Sequence, residues 1–279
     1  MPDSFPATPR LTSLHRYPVK ACAGEALTEA RLDVDGVRHD RLLAVAVGDR
    51  IVTQREHPAL SRVRPALDDV TALLTLDCDG RGAPAGVTAA VDLDGPRREV
   101  LLFGRPVGVV DQAEELSAWF TALLGAPAVL VAAPPTTRRT SPGVVEGLTL
   151  LSDVGTVSLH SEASLAGLND RLAARGHPPL PGDRFRANLV VDGIDAHAED
   201  HTGLLCVGEV RLAFAELDER CVVATVDQRV GRRAGPEPIR TLATYRRTGD
   251  GGVAFGIYAA VVAPGTVRVG DPVVLRPRS

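Results

Sequence analysis

Between Leu11 and about Asp111 the apolar residues come in short runs, broken by Gly, Asp or Pro, which is the signature of brief strands and tight turns. Residues 42–47, 70–76, 87–93 and 100–103 are the clearest, and their spacing predicts a small barrel or sandwich. A helical period follows. Leu116, Trp119, Phe120, Leu123 and Leu124 share one face, Asp111 is the expected N-cap with Glu114 three residues on, and Gly125 stands where a helix-ending glycine belongs. Residues 126–133 read as a strand, and 134–143 as an exposed loop at a seam between lobes or at the rim of a site. A strand at 156–160 then runs into a helix over 162–175, closed by Gly176. Segments 189–191, 204–207, 210–214, 222–226, 255–262 and 266–269 are strand-like, so the second half is also mostly β. No internal repeat supports a solenoid or propeller.

Length changes the picture from one core to two. Single cores stop growing near ~250–300 residues, and 279 residues are better served by two lobes, here expected over 8–128 and 129–279. A hydrophobic fraction of 44% with a net charge of −4 excludes a disordered chain and argues against a nucleic-acid binder. No apolar run approaches the ~20 residues that span a bilayer, and the N-terminus lacks a basic region followed by an apolar stretch. The expectation is a cytoplasmic protein with no membrane partner. Lys20 is the only lysine among 31 basic residues, which singles it out as a compact point charge in a chain of guanidinium forks. Cys22, Cys78, Cys206 and Cys221 are scattered, with no spacing suited to a zinc ribbon, an iron–sulfur cluster or a disulfide scaffold.

Familiar catalytic signatures are missing: there is no phosphate-loop motif, no Gly-x-Gly-x-x-Gly after a strand and no Gly-x-Ser-x-Gly elbow. His197 and His201 are four apart, but a zincin needs Glu directly after the first His, and the turn at 192–195 precedes them; the expectation there is a solvated loop. Polar residues at strand entrances are more informative. Lys20, Arg41, the Arg184–Asn188 segment and Glu219-Arg220-Cys221 stand where side chains converge on an anion at the end of a barrel, although solvated strand ends explain the same pattern. A thiol beside Arg220 would have its thiolate form favoured.

Tyr17-Pro18-Val19-Lys20, the run from Gly36 to Arg41 and Val52-Thr53-Gln54-Arg55-Glu56 resemble the N-terminal β-barrel domain that precedes MOSC domains. Ser161–Leu165 with Asn169, Arg184-Phe185-Arg186 with Asn188, Glu199-Asp200, Arg220-Cys221, Thr225-Val226-Asp227, Glu237-Pro238 and the stretch from Phe255 to Asp271 resemble the MOSC domain itself. The likeness covers nearly the whole chain, with the motifs in order. It implies a mostly β fold with a few helices, in two β-barrel-like lobes with a cofactor cleft between them. It further implies a molybdenum cofactor (molybdopterin with Mo), with Cys221 as thiolate ligand to the metal and catalytic residue. Lys20, Arg41, Arg186 and Asn188 match positions that hold the pterin and its phosphate, and Ser164 and Arg220 match further contacts. Three positions depart from the family pattern: Ala21 stands for a frequent serine, Asp218 for a frequent cysteine, and His201 for a frequent tryptophan.

The implied activity is a two-electron reduction that removes oxygen from a small N-hydroxylated or N-oxygenated substrate, with the hard chemistry carried by the cofactor. Nine residues follow Gly270 and no cluster ligands are present, so electrons are expected from a separate reductase or ferredoxin. Three alternatives stay open: a persulfide sulfur carrier using Cys221, a non-catalytic carrier of the cofactor, and a biosynthetic enzyme with a repurposed pocket.

Overall fold

The computed structural model describes residues 8–80 and 82–278. The fold is mostly β, as expected from the short alternating runs. The first lobe is a closed five-stranded barrel in the order Arg97–Leu102, Arg105–Asp111, Val129–Ala132, Leu43–Val47, Arg50–Ile51. Leu43 to Ala46 are all buried, because barrel strands covered on both faces lose the alternation of a half-exposed strand. A three-stranded sheet of Val63–Leu67, Leu73–Cys78 and Val87–Ala90 lies beside it and keeps that alternation, with every second residue of the first two strands buried.

The second lobe is built on an eight-stranded sheet. Its order is Glu25–Leu27, Arg10–Arg16, Leu189–Asp192, Val157–Ser161, Ala254–Ala263, Val210–Glu219, Thr202–Val207, Val273–Pro277. Val157–Ser161 and Leu189–Asp192 run parallel, and helix α2 (Glu162–Ala174) lies in the crossover that a parallel pair requires. Ser161 caps α2 by accepting from the Ser164 backbone N–H at 3.0 Å.

Chain order and spatial lobes do not coincide. The first two strands join the second lobe's sheet, where Leu11 and Leu14 pack into the same core as Leu189 and Val191. Strand Glu29–Asp33 likewise pairs with Gly265–Arg268. Conversely, a division at 128/129 would cut Val129–Ala132 from the barrel, yet this strand pairs with Leu43–Val47 and supplies the buried Leu130 and Val131. No linker separates two independent cores; the chain crosses between them.

Three local expectations are corrected. Asp111 ends a strand and pairs with Arg98, so the N-cap of α1 (Glu114–Leu124) is Ala113. Gly125 does end α1 in a left-handed conformation, as its position suggested. Residues 222–226 read as a strand from their β-branched residues, but Val222–Thr225 is a single 3₁₀ turn at the cleft wall; tertiary placement overrides propensity. The 134–143 segment is partly ordered into a hairpin, Arg139–Ser141 pairing with Gly147–Thr149. No helix among the described residues is long and apolar enough to cross a membrane.

His160, on Val157–Ser161, sits between Phe185 and Phe255 with ring-centroid distances of 6.0 and 5.3 Å. Burial pulls its pKa from 6.5 down to about 4, so the folded state holds it neutral. Above pH 6.5 both folded and unfolded states are neutral; below it only the unfolded chain gains the proton, and stability is lost as pH falls toward 4. The shift corresponds to about 3 kcal/mol. Chemical denaturation of wild type and His160→Phe is therefore expected to diverge by about that amount between neutral pH and pH 4, with the wild type losing more. Parallel pH profiles would refute the assignment.

Candidate functional site

The seam between the lobes opens into a cleft of about 340 Å³ lined by both. Its charged lining is unbalanced: Lys20, Arg41, Arg55, Arg184, Arg186 and Arg220 face Asp153, Asp218 and Glu219. Lys20 is placed by a backbone bond from its N–H to Leu43 O at 2.7 Å, beside the barrel. Its ammonium donates to Leu151 O at 2.7 Å and pairs with Asp153. Burial pulls the Lys20 pKa down, and the Asp153 carboxylate opposes that pull.

Arg41 and Arg186 both stack on one ring. Their guanidinium carbons lie 4.3 and 4.4 Å from the Tyr17 centroid, and the Tyr17 hydroxyl donates to Ala187 O at 3.3 Å. Arg41 pairs with Asp40 and donates to Asn188 Oδ1 at 3.2 Å and Arg186 O at 3.1 Å. Arg186 donates to Cys22 O at 2.6 Å, and among the described residues no carboxylate pairs with it. Burial, with the neighbouring charge of Arg41, holds the Arg186 pKa below its ordinary value. Two half-buried cations around one ring, one of them lacking a carboxylate, fit an anionic group between the lobes.

Cys221 is half-buried at the start of the 222–225 turn and lines the cleft. The arginine on its sulfur is not its chain neighbour. Arg220 turns away: its Nε and Nη2 donate to Phe255 O at 2.9 and 2.6 Å, and its Nη1 to Phe185 O at 2.8 Å. Arg55, carried by the barrel lobe, donates to Cys221 Sγ at 3.3 Å and lies 3.4 Å from Asp153. The Phe103 ring, on the hairpin after Arg97–Leu102, stands 5.1 Å from the Arg55 guanidinium and is exposed at the cleft mouth.

Of the residues singled out from sequence, Lys20, Arg41, Arg186, Arg220 and Cys221 therefore line one cleft. Asn188 lies behind it, buried, where it accepts from Arg41 and from the Ser158 N–H at 3.1 Å, so it positions Arg41. Ser164 does not line the cleft. Its hydroxyl donates to Glu199 at 2.6 Å and accepts from the His197 N–H at 2.8 Å, inside a buried network under α2. That network also replaces the expected solvated loop at 197–201. Glu199 and Asp200 are buried, their ligand atoms and those of His197 lie within 4.8 Å of one another, and Arg246 pairs with Asp200 at 2.5 Å. Arg55, Phe103, Asp153 and Tyr258 were not singled out. Arg55 and Tyr258 sit in segments that carried the family resemblance; Phe103 and Asp153 had no local signal.

The donor set suits a molybdenum–pterin group. One soft sulfur reaches the cleft among cations, as an anionic dithiolene-bound metal and a phosphate tail require. Cys221 would hold the metal, and Lys20, Arg41 and Arg186 the anionic portions.

Comparison with known proteins follows the same outline. A family model described as the MOSC domain matches residues 149–274, and one described as the MOSC N-terminal beta barrel domain matches residues 8–127. The chain is 30% identical to the mitochondrial amidoxime-reducing component 1 of Homo sapiens, over 93% of this chain and 80% of that protein. It is 30% identical to the mitochondrial amidoxime reducing component 2 of Rattus norvegicus, over 92% and 80%. The molybdenum cofactor sulfurase of Oryza sativa subsp. japonica is 29% identical over 88% of this chain, which spans only 32% of that longer protein. Two successive domain matches and relatives alike along nearly the whole length place the chain in the family of MOSC-domain proteins that carry an N-terminal MOSC β-barrel.

Proposed function

We propose that this chain is a molybdenum-cofactor-dependent oxidoreductase that reduces small N-hydroxylated or N-oxygenated substrates by two-electron oxygen removal. The observation that carries the reading is the Cys221 sulfur, presented to a cation-rich cleft and touched there by Arg55 of the opposite lobe. Relatives named for amidoxime reduction support it. The bound cofactor would supply the two-electron redox couple.

The protein's own part is binding, orientation and charge. Arg41 and Arg186, fixed by carbonyls across the seam, would hold the phosphate, with Lys20 as a point charge nearby. Arg55 would steady the sulfur, and Phe103 would shield the mouth from water. Electrons would come from a separate donor protein, a reductase or ferredoxin. The sulfurase relatives favour a second reading, in which Cys221 carries a persulfide.

Metal and pterin analysis of freshly purified protein separates the two. The reductase is expected to contain molybdenum and pterin and to turn over an aryl amidoxime with reduced viologen as donor. Cys221→Ser should leave the melting temperature in place and cut kcat by more than ~100-fold, since even outer-sphere changes at metal sites cost 10–100-fold. Cyanide-releasable sulfur without molybdenum would overturn the reading in favour of the carrier.

The Lys20–Asp153 pair makes a separate prediction on cofactor-free protein. Asp153→Asn leaves a buried ammonium unpaired and should destabilise the fold by about 2 kcal/mol at neutral pH, less than for a fully buried pair because Asp153 is a third exposed. Burial then depresses the Lys20 pKa unopposed, so the unfolded chain binds the extra proton and the deficit should shrink as pH rises toward 10. A deficit that does not change with pH would show that Lys20 is not the group left unpaired.

A further inference from the structure

The exposed aromatic ring of the cleft stands on a hairpin tip. Leu102 is paired with Arg105, which leaves Phe103 and Gly104 as a two-residue turn, and both adopt positive φ, 52° and 77°. A turn of that kind matches the twist of the flanking strands, and it favours Asn or Asp followed by Gly. Gly104 meets the demand. Phe103 does not, because a residue with a Cβ and a bulky ring is strained in the left-handed region. Burial offers no compensation, since the residue is 54% exposed.

The turn places the ring beside the partner of the thiol. Its centroid lies 5.1 Å from the Arg55 guanidinium and 5.3 Å from the Lys20 ammonium, and both cations pair with Asp153. These contacts return part of the strain cost. They also hold the ring next to the guanidinium that donates to Cys221 Sγ. The two other aromatic residues that line the cleft are engaged elsewhere. Phe185 is buried and stacked on Phe255 at 3.9 Å, and the Tyr258 ring is wedged over Gly155, where a Cβ would come within 2.1 Å of the ring carbons. Val154, which follows Asp153, and Val223, two residues past Cys221, add apolar lining. Phe103 is therefore the aromatic surface that a ligand entering from solvent meets. A flat ring gains more against it than an alkyl group of equal area, through offset or edge-to-face packing.

We propose that Phe103 is a specificity-determining residue of the cleft, whose ring takes the carbon framework of the N-hydroxylated substrate, so that aryl-bearing substrates are preferred over alkyl ones. This rests on the reduction reading. The role differs from shielding the mouth, which any bulky apolar side chain performs. It also accounts for a strained aromatic residue at a position that Asn would fill without strain: the turn keeps the ring for what it contacts and not for stability.

Paired substrates test the assignment in the loaded enzyme, with reduced viologen as donor: benzamidoxime, which carries a flat ring, and acetamidoxime, which carries a methyl group. Wild type is expected to favour benzamidoxime in kcat/KM. Phe103→Leu keeps an apolar side chain at the mouth and should lower that preference by about 3–10-fold, the size of an aromatic pair contact. The loss should fall on KM with kcat little changed, because the ring touches the framework and not the reacting atoms. Phe103→Tyr should restore the preference. Calorimetry on the oxidised enzyme without donor, where nothing turns over, should show the same loss of benzamidoxime affinity in Phe103→Leu. A wild type with no aryl preference, or a Phe103→Leu enzyme that keeps it, overturns the proposal. An equal loss for both substrates makes the ring a water shield alone and overturns it too. Each of these outcomes leaves the reductase standing. A wild type that holds no molybdenum and reduces neither amidoxime overturns the reduction reading, and the specificity role falls with it.

Discussion

Half-buried guanidiniums that donate to backbone carbonyls across the seam are the interaction on which this structure depends. Arg41 bonds to the carbonyl of Arg186, and Arg186 to that of Cys22, with Tyr17 between them. A guanidinium has five donors and no acceptor, and stays charged at any ordinary pH. Withdrawing several of them partly from water therefore demands carbonyl oxygens at fixed places, and the two lobes supply these to each other. Gln54 and Gln228 add a reciprocal pair of amide bonds at 3.0 and 2.9 Å across the same seam. The positive field left over faces the cleft, where an anionic cofactor would complete it.

The interleaved chain path ties that seam to both cores. Because Arg10–Arg16 belongs to the second lobe's sheet and the chain then enters the barrel, Tyr17 and Lys20 lie at the crossing itself. The bridge between Val19 and Leu43 ties the crossing segment to the barrel wall. Site residues on such a crossing are positioned by both hydrophobic cores, which lets long polar side chains keep one geometry.

Much of the fold was legible from local pattern. The alternating runs of the first half, the apolar face of α1 with Gly125 at its end, and the placing of α2 all follow from side-chain periodicity and helix-stop chemistry, which are nearest-neighbour physics. The lobe membership of strands was not legible, since pairing Leu11 with Val191 is a long-range choice that no window of residues contains. The site shows the same divide. Lys20, Arg41, Arg186 and Cys221 could be picked out by type and motif, but the partner of the thiol could not: Arg220 is adjacent in the chain and spends its donors on carbonyls, while Arg55, 166 residues away, reaches the sulfur. Asp218, which pairs with Arg220 at the cleft wall, was visible only as a departure from the family pattern.

Backbone strain marks the same place independently of charge. Among the described residues seven non-glycine positions adopt positive φ, and four of them, Ala21 at 68°, Arg41 at 48°, Phe103 at 52° and Arg186 at 53°, line the cleft. Each such conformation costs roughly 1 kcal/mol or more for a residue with a Cβ. Glycine would remove that cost, but at 41 and 186 it would also remove the guanidinium, and at 103 the ring. The strain persists because the side chain is needed at a backbone geometry that aims it into the seam. Ala21 follows the same logic from the main chain: its carbonyl accepts from Gln54 at 2.7 Å, so the left-handed turn directs a backbone acceptor at the other half of the amide pair. A cleft enclosed by four strained residues from both lobes, each fixed by a bond or stack that the strained conformation makes possible, is a preorganised binding surface and not an incidental gap between two cores.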